Sequence, residues 1–280
     1  MTTRTLSPGR SAGGRVADAA DSVFMLGKDT LGGMGADTRY ALVVENDPTC
    51  DVRLLGSWLA DAGLDLKVVR PYAGETVPEQ LEANALIVLG GGQHAYPDSQ
   101  GHRDAPWLPA LDALLRAAVA ARVPTLCLGL GSQLLAQALG GRVAPAASPV
   151  LGPRLLSRRD AAEYDPLFAA APMALDVVLS RHDEIITLPP GGTLLAASPY
   201  GAIEAFRVGT HAWGMQFHIE CDTAMLDRWV SLSGLDPAAA ARAVTVLDDV
   251  AETWRPVAER FATLALGRIG TGTPLPLLEG

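Results

Sequence analysis

Short apolar runs alternate with amphipathic stretches through the first half of the chain. Tyr40–Glu45, Asp65–Arg70, Ala83–Leu89 and Val123–Leu128 read as strands of a buried parallel sheet. Between the first two, Val52, Leu55, Trp58, Leu59 and Leu64 recur at helical spacing; Thr49 is the candidate cap and Gly63 the stop. Trp107–Ala121 repeats the pattern through Leu111, Leu114, Leu115 and Val119. Ser132–Leu139 continues as a helix closed by Gly140-Gly141. Strand–helix alternation with right-handed crossovers predicts an α/β fold: a doubly wound, mostly parallel sheet with flanking helices. In such a sheet ligands gather at the carboxyl ends of the strands.

Past Gly141 the elements shorten. Val143, Val150-Leu151, Leu155-Leu156 and Leu175–Leu179 suggest a small antiparallel addition, with Asp165–Phe168 opening a turn or short helix. Thr193–Ala197 and Ala202–Phe206 read as two strands of a meander. Helices follow over Ala224–Ser233 and from Pro237 to about Leu266, with apolar faces marked by Trp229, Val250, Trp254, Val257 and Phe261. Residues 1–38, rich in Gly, Ser, Thr and Ala, read as a flexible tail with a short helix near Val16–Leu26, and residues 269–280 as a second tail. Residues 39–268 are then one domain, with a helical extension from about residue 222.

Composition narrows the class. With 280 residues and 49% hydrophobic content, the chain can fill a sizeable core. A net charge of −9 argues against nonspecific binding to nucleic acid or to anionic membranes. No apolar run approaches the ~20 residues that span a bilayer, and no signal-peptide core is present. Cys50, Cys127 and Cys221 are an odd, scattered set, which implies free thiols and a cytoplasmic setting. Nothing in the pattern calls for a metal or a cofactor.

Three stretches carry candidate chemistry. The third strand runs into Gly90-Gly91-Gly92, where backbone N–H groups can approach a ligand. The fourth runs through Cys127-Leu128-Gly129-Leu130-Gly131 into a helix, the strand–turn–helix context of a nucleophile elbow. Third, His211–Glu220 contains His218 and Glu220 two apart. On extended chain both point the same way, so His218 can act as a base and Glu220 as the group that orients it. Alternation turns Cys221 away from the pair, and Cys50 has no partner residue; both read as structural. His94 reads as an exposed loop histidine.

These stretches together resemble the class I glutamine amidotransferases, over about residues 39–235. The family signature is roughly Pro-x-x-Gly-x-Cys-x-Gly-x-Gln, an apolar helix and Gly-Gly; Pro124, Gly131, Gln133 and Gly140-Gly141 fit it without a gap. The hallmark Gly-x-Gln-Phe-His-x-Glu is intact from Gly214 to Glu220. The resemblance implies His218 and Glu220 as catalytic residues. It also implies an oxyanion and substrate pocket from Gly91, Gly92, Leu130 and Gln133, although Gln93 stands where the family has Pro. Ser180–Ile185 occupies the position of a loop beside the glutamine pocket; His182 and Asp183 either line the site or belong to a surface turn. The implied activity is hydrolysis of the glutamine side-chain amide through a glutamyl-thioester. Ammonia would pass to a synthetase partner in trans, as in freestanding domains similar to the amidotransferase part of GMP synthase.

One departure governs the functional reading. The gapless register puts the family's cysteine at Gly129 and its first glycine at Cys127. A second register puts Cys127 on the nucleophile, but needs two residues deleted after Pro124 and two inserted before Gln133. In the gapless register Cys127 lies ~6–7 Å back along the strand, whereas thioester formation needs the sulfur ~3–3.5 Å from the carbonyl carbon. Three readings follow. The chain is a fold relative without glutaminase activity that binds glutamine or a related small molecule, or serves as a regulatory or scaffold subunit. Alternatively, His218, Glu220 and the glycine amides serve another reaction in a biosynthetic pathway. Or Cys127 is a displaced but working nucleophile.

Overall fold

The apolar runs of the first half form the parallel part of a nine-stranded sheet in the computed structural model, which describes residues 39–199, 202–232 and 236–268. The strands β1 (Tyr40–Val44), β2 (Asp65–Val69), β3 (Ala85–Val88) and β4 (Thr125–Leu128) pair in parallel in the order β2-β1-β3-β4. Helices α1 (Arg53–Asp61), α2 (Leu108–Ala120) and α3 (Leu130–Ala138) lie between or after them in the chain. Side chains alternate across the sheet. Ala41 and Val43 face the core shared with α1, whereas Leu42 and Val44 face α2 and α3. Both faces are thus covered, as a parallel sheet requires.

The sheet continues through β5 (Arg142–Arg158), β6 (Ala174–Thr187), β7 (Gly192–Ala197), β8 (Ile203–Val208) and β9 (Ala212–Met215), in the full order β2-β1-β3-β4-β9-β8-β7-β5-β6. β9 returns beside β4 and pairs with it in parallel, placing Cys127 opposite Gly214 and Leu128 opposite Met215. That register brings the ends of β4 and β9 together. Two distant motifs therefore leave the sheet at the same place.

The antiparallel part is larger than the small addition expected. β5 and β6 form a long ribbon whose register slips between Pro145 and Val150. Proline cannot donate to a ladder, and the slip absorbs that defect. The expected loop at Ser180–Ile185 is strand, inside β6. Its buried polar residues, Arg181 and Asp183, bond to Glu204 and Tyr96, partners outside the segment, so local polarity was a poor guide.

The C-terminal helices are α4 (Thr223–Leu232), α5 (Pro237–Val244) and α6 (Leu247–Ala265). The single helix expected from Pro237 divides at Thr245–Val246, where Val246 leaves helical geometry at φ −115°, ψ 1°. Asp236 caps α5 by accepting from the Ala238 N–H at 3.0 Å. On α6, Val250, Trp254, Val257 and Phe261 are buried in the core that includes α1 and β6. The ring of Trp254 meets Phe168 edge-on at 5.7 Å and Phe217 at 4.8 Å. Phe217 precedes His218, so α6 backs the segment that carries the candidate base.

Thr49 does not cap α1. Val52 occupies the cap position without a side-chain bond, while the Thr49 hydroxyl donates to Asp47 Oδ1 at 2.6 Å. The 46–52 loop is folded on itself and lines the site instead of starting a helix. Among the described residues no helix is long and apolar enough to cross a membrane. The expected tails, with the short helix near Val16–Leu26, lie outside the described residues.

Candidate active site

The turn between β4 and α3 begins at Gly129, with φ 51° and ψ −120°. This backbone region is costly for residues with a Cβ. Two contacts lock the turn. The Gly129 N–H donates to Met215 O at 2.9 Å, and its carbonyl accepts from Ser132 Oγ at 2.7 Å. Gly131 is required for a different reason: a Cβ there would lie 2.1 Å from the Val88 carbonyl oxygen. The start of α3 is pressed against the end of β3, which brings the glycines after β3 next to the elbow.

His218 lies directly over this turn. A Cβ built on Gly129 would be 2.8 Å from His218 Cε1 and 3.0 Å from Nε2, and one on Gly90 would be 2.8 Å from the same Cε1. The imidazole therefore rests on two bare glycines. Its Nδ1 is 2.7 Å from Glu220 Oε1, and its ring packs edge-on against Trp229 at 4.8 Å. Nδ1–H donated to the carboxylate leaves Nε2 as the acceptor, facing the elbow. Residues 216–220 are irregular, not a strand, yet the two side chains meet as expected. Both are buried. Glu220 Oε2 has no partner among the described residues.

A cavity of about 520 Å³ opens at this point. Gly91, Gly92, Gly129, Leu130 and Gln133 line it together with His218, which unites the expected oxyanion and pocket residues. Among the described residues no backbone carbonyl accepts from the N–H of Gly91 or Gly92. Gln133 Nε2 donates to the Asp183 carbonyl at 3.1 Å and to Gln216 Oε1 at 3.3 Å, so α3, β6 and the end of β9 are tied together. Cys50 also lines the cavity, and burial, with Glu220 close by, pushes its thiol up to about 12. Although it lies just before α1, it is desolvated and beside a carboxylate, so it is not a favoured thiolate.

Cys127 is not brought to this cavity. It is fully buried, in the core shared with α2 and α3, while Leu126 and Leu128 face the opposite core. Burial alone pushes its thiol well above the ordinary range. The expected candidate displaced nucleophile is thus a core residue, because strand alternation turns it into the sheet–helix interface. Cys221 is likewise buried, with its thiol raised by burial.

The facing wall comes from β6 and from the loop after β3. Asp183 is buried and His182 exposed, and both line the cavity. His94 lines it too. Its Nδ1 lies 2.6 Å from Asp183 Oδ2, and Tyr96 Oη donates to Asp183 Oδ1 at 3.0 Å. The residue that read as an exposed loop histidine is exposed, and it is also held by a carboxylate 89 positions away, which no local pattern reveals. Burial, then the bond to Asp183, pushes the Tyr96 hydroxyl up to about 12. The bond to Asp183 raises the pKa of His94, with the nearby Asp104 adding to it. The sign follows: this pair stabilises the fold below the free histidine value and loses that contribution as pH rises through the raised one. Asp183→Asn is expected to lower the ionisation of His94 toward that of free histidine in a ring-proton NMR titration. An unchanged midpoint would disprove the pairing. Among the described residues no group of three His, Cys, Asp or Glu side chains could hold a metal ion.

Comparison with known proteins gives the geometry a family. The family model for glutamine amidotransferase class-I matches residues 52–227. The chain is 38% identical over 156 residues to a glutamine-hydrolysing GMP synthase of Thermomicrobium roseum, covering 52% of this chain and 26% of that protein. It is 30% identical over 166 residues to a glutamine amidotransferase-like protein, YfeJ, of Salmonella typhimurium, covering 58% of this chain and 68% of the relative. The chain thus spans about a quarter of that GMP synthase. A solved glutamine amidotransferase from Methylobacillus flagellatus superposes with a TM-score of 0.70 at 24% identity, over 83% of this chain and 96% of that one. Another, from Thermotoga maritima, gives 0.70 at 22% identity, over 81% and 99%. Elbow, glycine loop and His–Glu pair thus sit in a fold shared with these proteins, and the chain belongs to the class-I glutamine amidotransferase family.

Proposed function

We propose that this protein binds glutamine or a closely related small molecule in the cavity but does not run the glutamyl-thioester reaction. In this reading Gly129 stands at the nucleophile position, and the His218–Glu220 pair acts on the ligand or on a bound water as a general base. One observation carries it: the His218 ring rests on a bare glycine at the elbow, while the nearest thiol along the strand, Cys127, is in the core.

The chemistry follows from the tautomer. Glu220 accepts the Nδ1 proton and stabilises the imidazolium that forms when Nε2 takes another. With no thiol at the elbow and the Cys50 thiol held protonated by burial, the proton comes from water or from a ligand O–H. In a hydrolysis the water oxygen bonds to the carbonyl carbon, its proton passes to Nε2, and Nε2 returns it to the departing group. The N–H groups of Gly91 and Gly92 would take the developing oxyanion. A synthetase acting in trans would receive no thioester-derived ammonia from this site.

The test is intact mass after incubation with a glutamine-like diazoketone, which alkylates a thiolate held in a glutamine pocket. Native protein and Cys127→Ala are both expected to remain unmodified, while saturating L-glutamine raises the melting temperature by a few degrees, ~1–3 °C or more. A single adduct lost in Cys127→Ala would overturn the reading. So would a folded protein whose melting temperature ignores L-glutamine.

A further inference from the structure

Two histidines held by carboxylates line one cavity, and the His218–Glu220 pair accounts for only one of them. His94 follows the glycine loop and is held at two points. Its main-chain N–H donates to Asp104 Oδ2 at 2.8 Å, and its Nδ1 sits on Asp183 at 2.6 Å. Asp183 is buried, and its second oxygen accepts from Tyr96, so the carboxylate cannot swing away. The Tyr96 ring lies 5.3 Å from the imidazole. Among the described residues Nε2 of His94 has no hydrogen-bond partner, and about half of the side chain, 48%, remains accessible. A ring so fixed, at the wall of the cavity and with its outer nitrogen unpartnered among the described residues, is suited to meet a ligand there.

The cavity's other strong cation is already committed. Arg181 donates from Nη2 to Glu204 at 2.9 Å and from Nη1 to the Asp183 carbonyl at 3.1 Å, with Glu184 also close, and its Nε is closed off from solvent. We infer that His94, held by Asp183 and Tyr96, is the cavity's anion anchor: its Nε2–H binds the carboxylate of a small amino-acid-class ligand whose amide end reaches the His218–Gly129 notch. This rests on the functional reading above. The charged and titratable groups facing His94 are Asp183, Asp104 and Tyr96. Because Asp183 favours the protonated ring, the anchor stays cationic to higher pH than a free histidine.

The test is calorimetric titration of the full chain with L-glutamine and with 4-aminobutanamide, which keeps the amide and amine but lacks the carboxylate. At about pH 6, native protein is expected to prefer L-glutamine by roughly tenfold or more, with the preference shrinking toward about pH 8. His94→Gln, a change on an accessible loop, is expected to abolish that preference. Native protein that binds both probes equally would overturn the anchor and leave the cavity reading intact. A full preference retained in His94→Gln would do the same. Native protein that binds neither probe would overturn both.

Discussion

Gly129→Cys is expected to turn a protein that ignores a glutamine-like diazoketone into one that takes a single adduct, and to raise glutamine hydrolysis by roughly a thousandfold or more over native. The new Cβ would stand 3.0 Å from His218 Nε2, which places the thiol at a base already oriented by Glu220. The elbow already has the φ of 51° that such turns impose on a nucleophile, so no change of backbone is needed. Restoration has a cost. The Cβ would lie 2.8 Å from His218 Cε1, and the ring, confined by Trp229 and Glu220, must yield by a few tenths of an ångström. Together with the positive φ, this is expected to lower stability by ~1–3 kcal/mol. Gly129→Ala carries the same strain without the thiol and should remain inert. A folded Gly129→Cys with no more labelling or activity than Gly129→Ala would refute the assignment of Gly129 to the nucleophile position.

The largest effect on stability is expected away from the cavity, at Asp165. This buried carboxylate accepts from the N–H of Leu167 at 2.8 Å and of Phe168 at 2.9 Å, and from Trp213 Nε1 at 3.0 Å. Arg207 pairs with its other oxygen at 3.0 Å. It thereby joins the turn before β6 to β8 and β9, and Gln216, the residue after β9, begins the His218 segment. Asp165→Ala would leave a buried indole N–H, two amides and a guanidinium unsatisfied at once. It is expected to lower the unfolding free energy by ~3–5 kcal/mol in urea titration. Asp165→Asn keeps an acceptor but loses the ion pair, so its loss should be smaller. A change below ~1 kcal/mol in Asp165→Ala would mean that these partners find replacements.

Much of the fold was legible because burial on both faces writes itself into composition. Tyr40–Glu45 and Asp65–Arg70 read as strands and match β1 and β2 to within a residue. The β5–β6 ribbon was less legible. Its proline-broken ladder and inward-facing Arg181 and Asp183 mimic a loop unless Glu204, Tyr96 and Gln133 are brought alongside. Likewise, periodicity ran through the break between α5 and α6, because apolar spacing continues on both sides of Val246 while the backbone does not.

The sequence by itself determined the parallel strands of the first half, the glycine at the strand–helix turn and the pairing of His218 with Glu220, since each depends on spacing within a few residues. Only the tertiary structure decided which face Cys127 takes, how closely His218 approaches Gly129, and that His94 is tied to Asp183. These depend on strand register and on contacts between residues distant in the chain, 89 positions apart for His94 and Asp183. Such contacts form only when the sheet assembles, and no local pattern of polar and apolar residues encodes them.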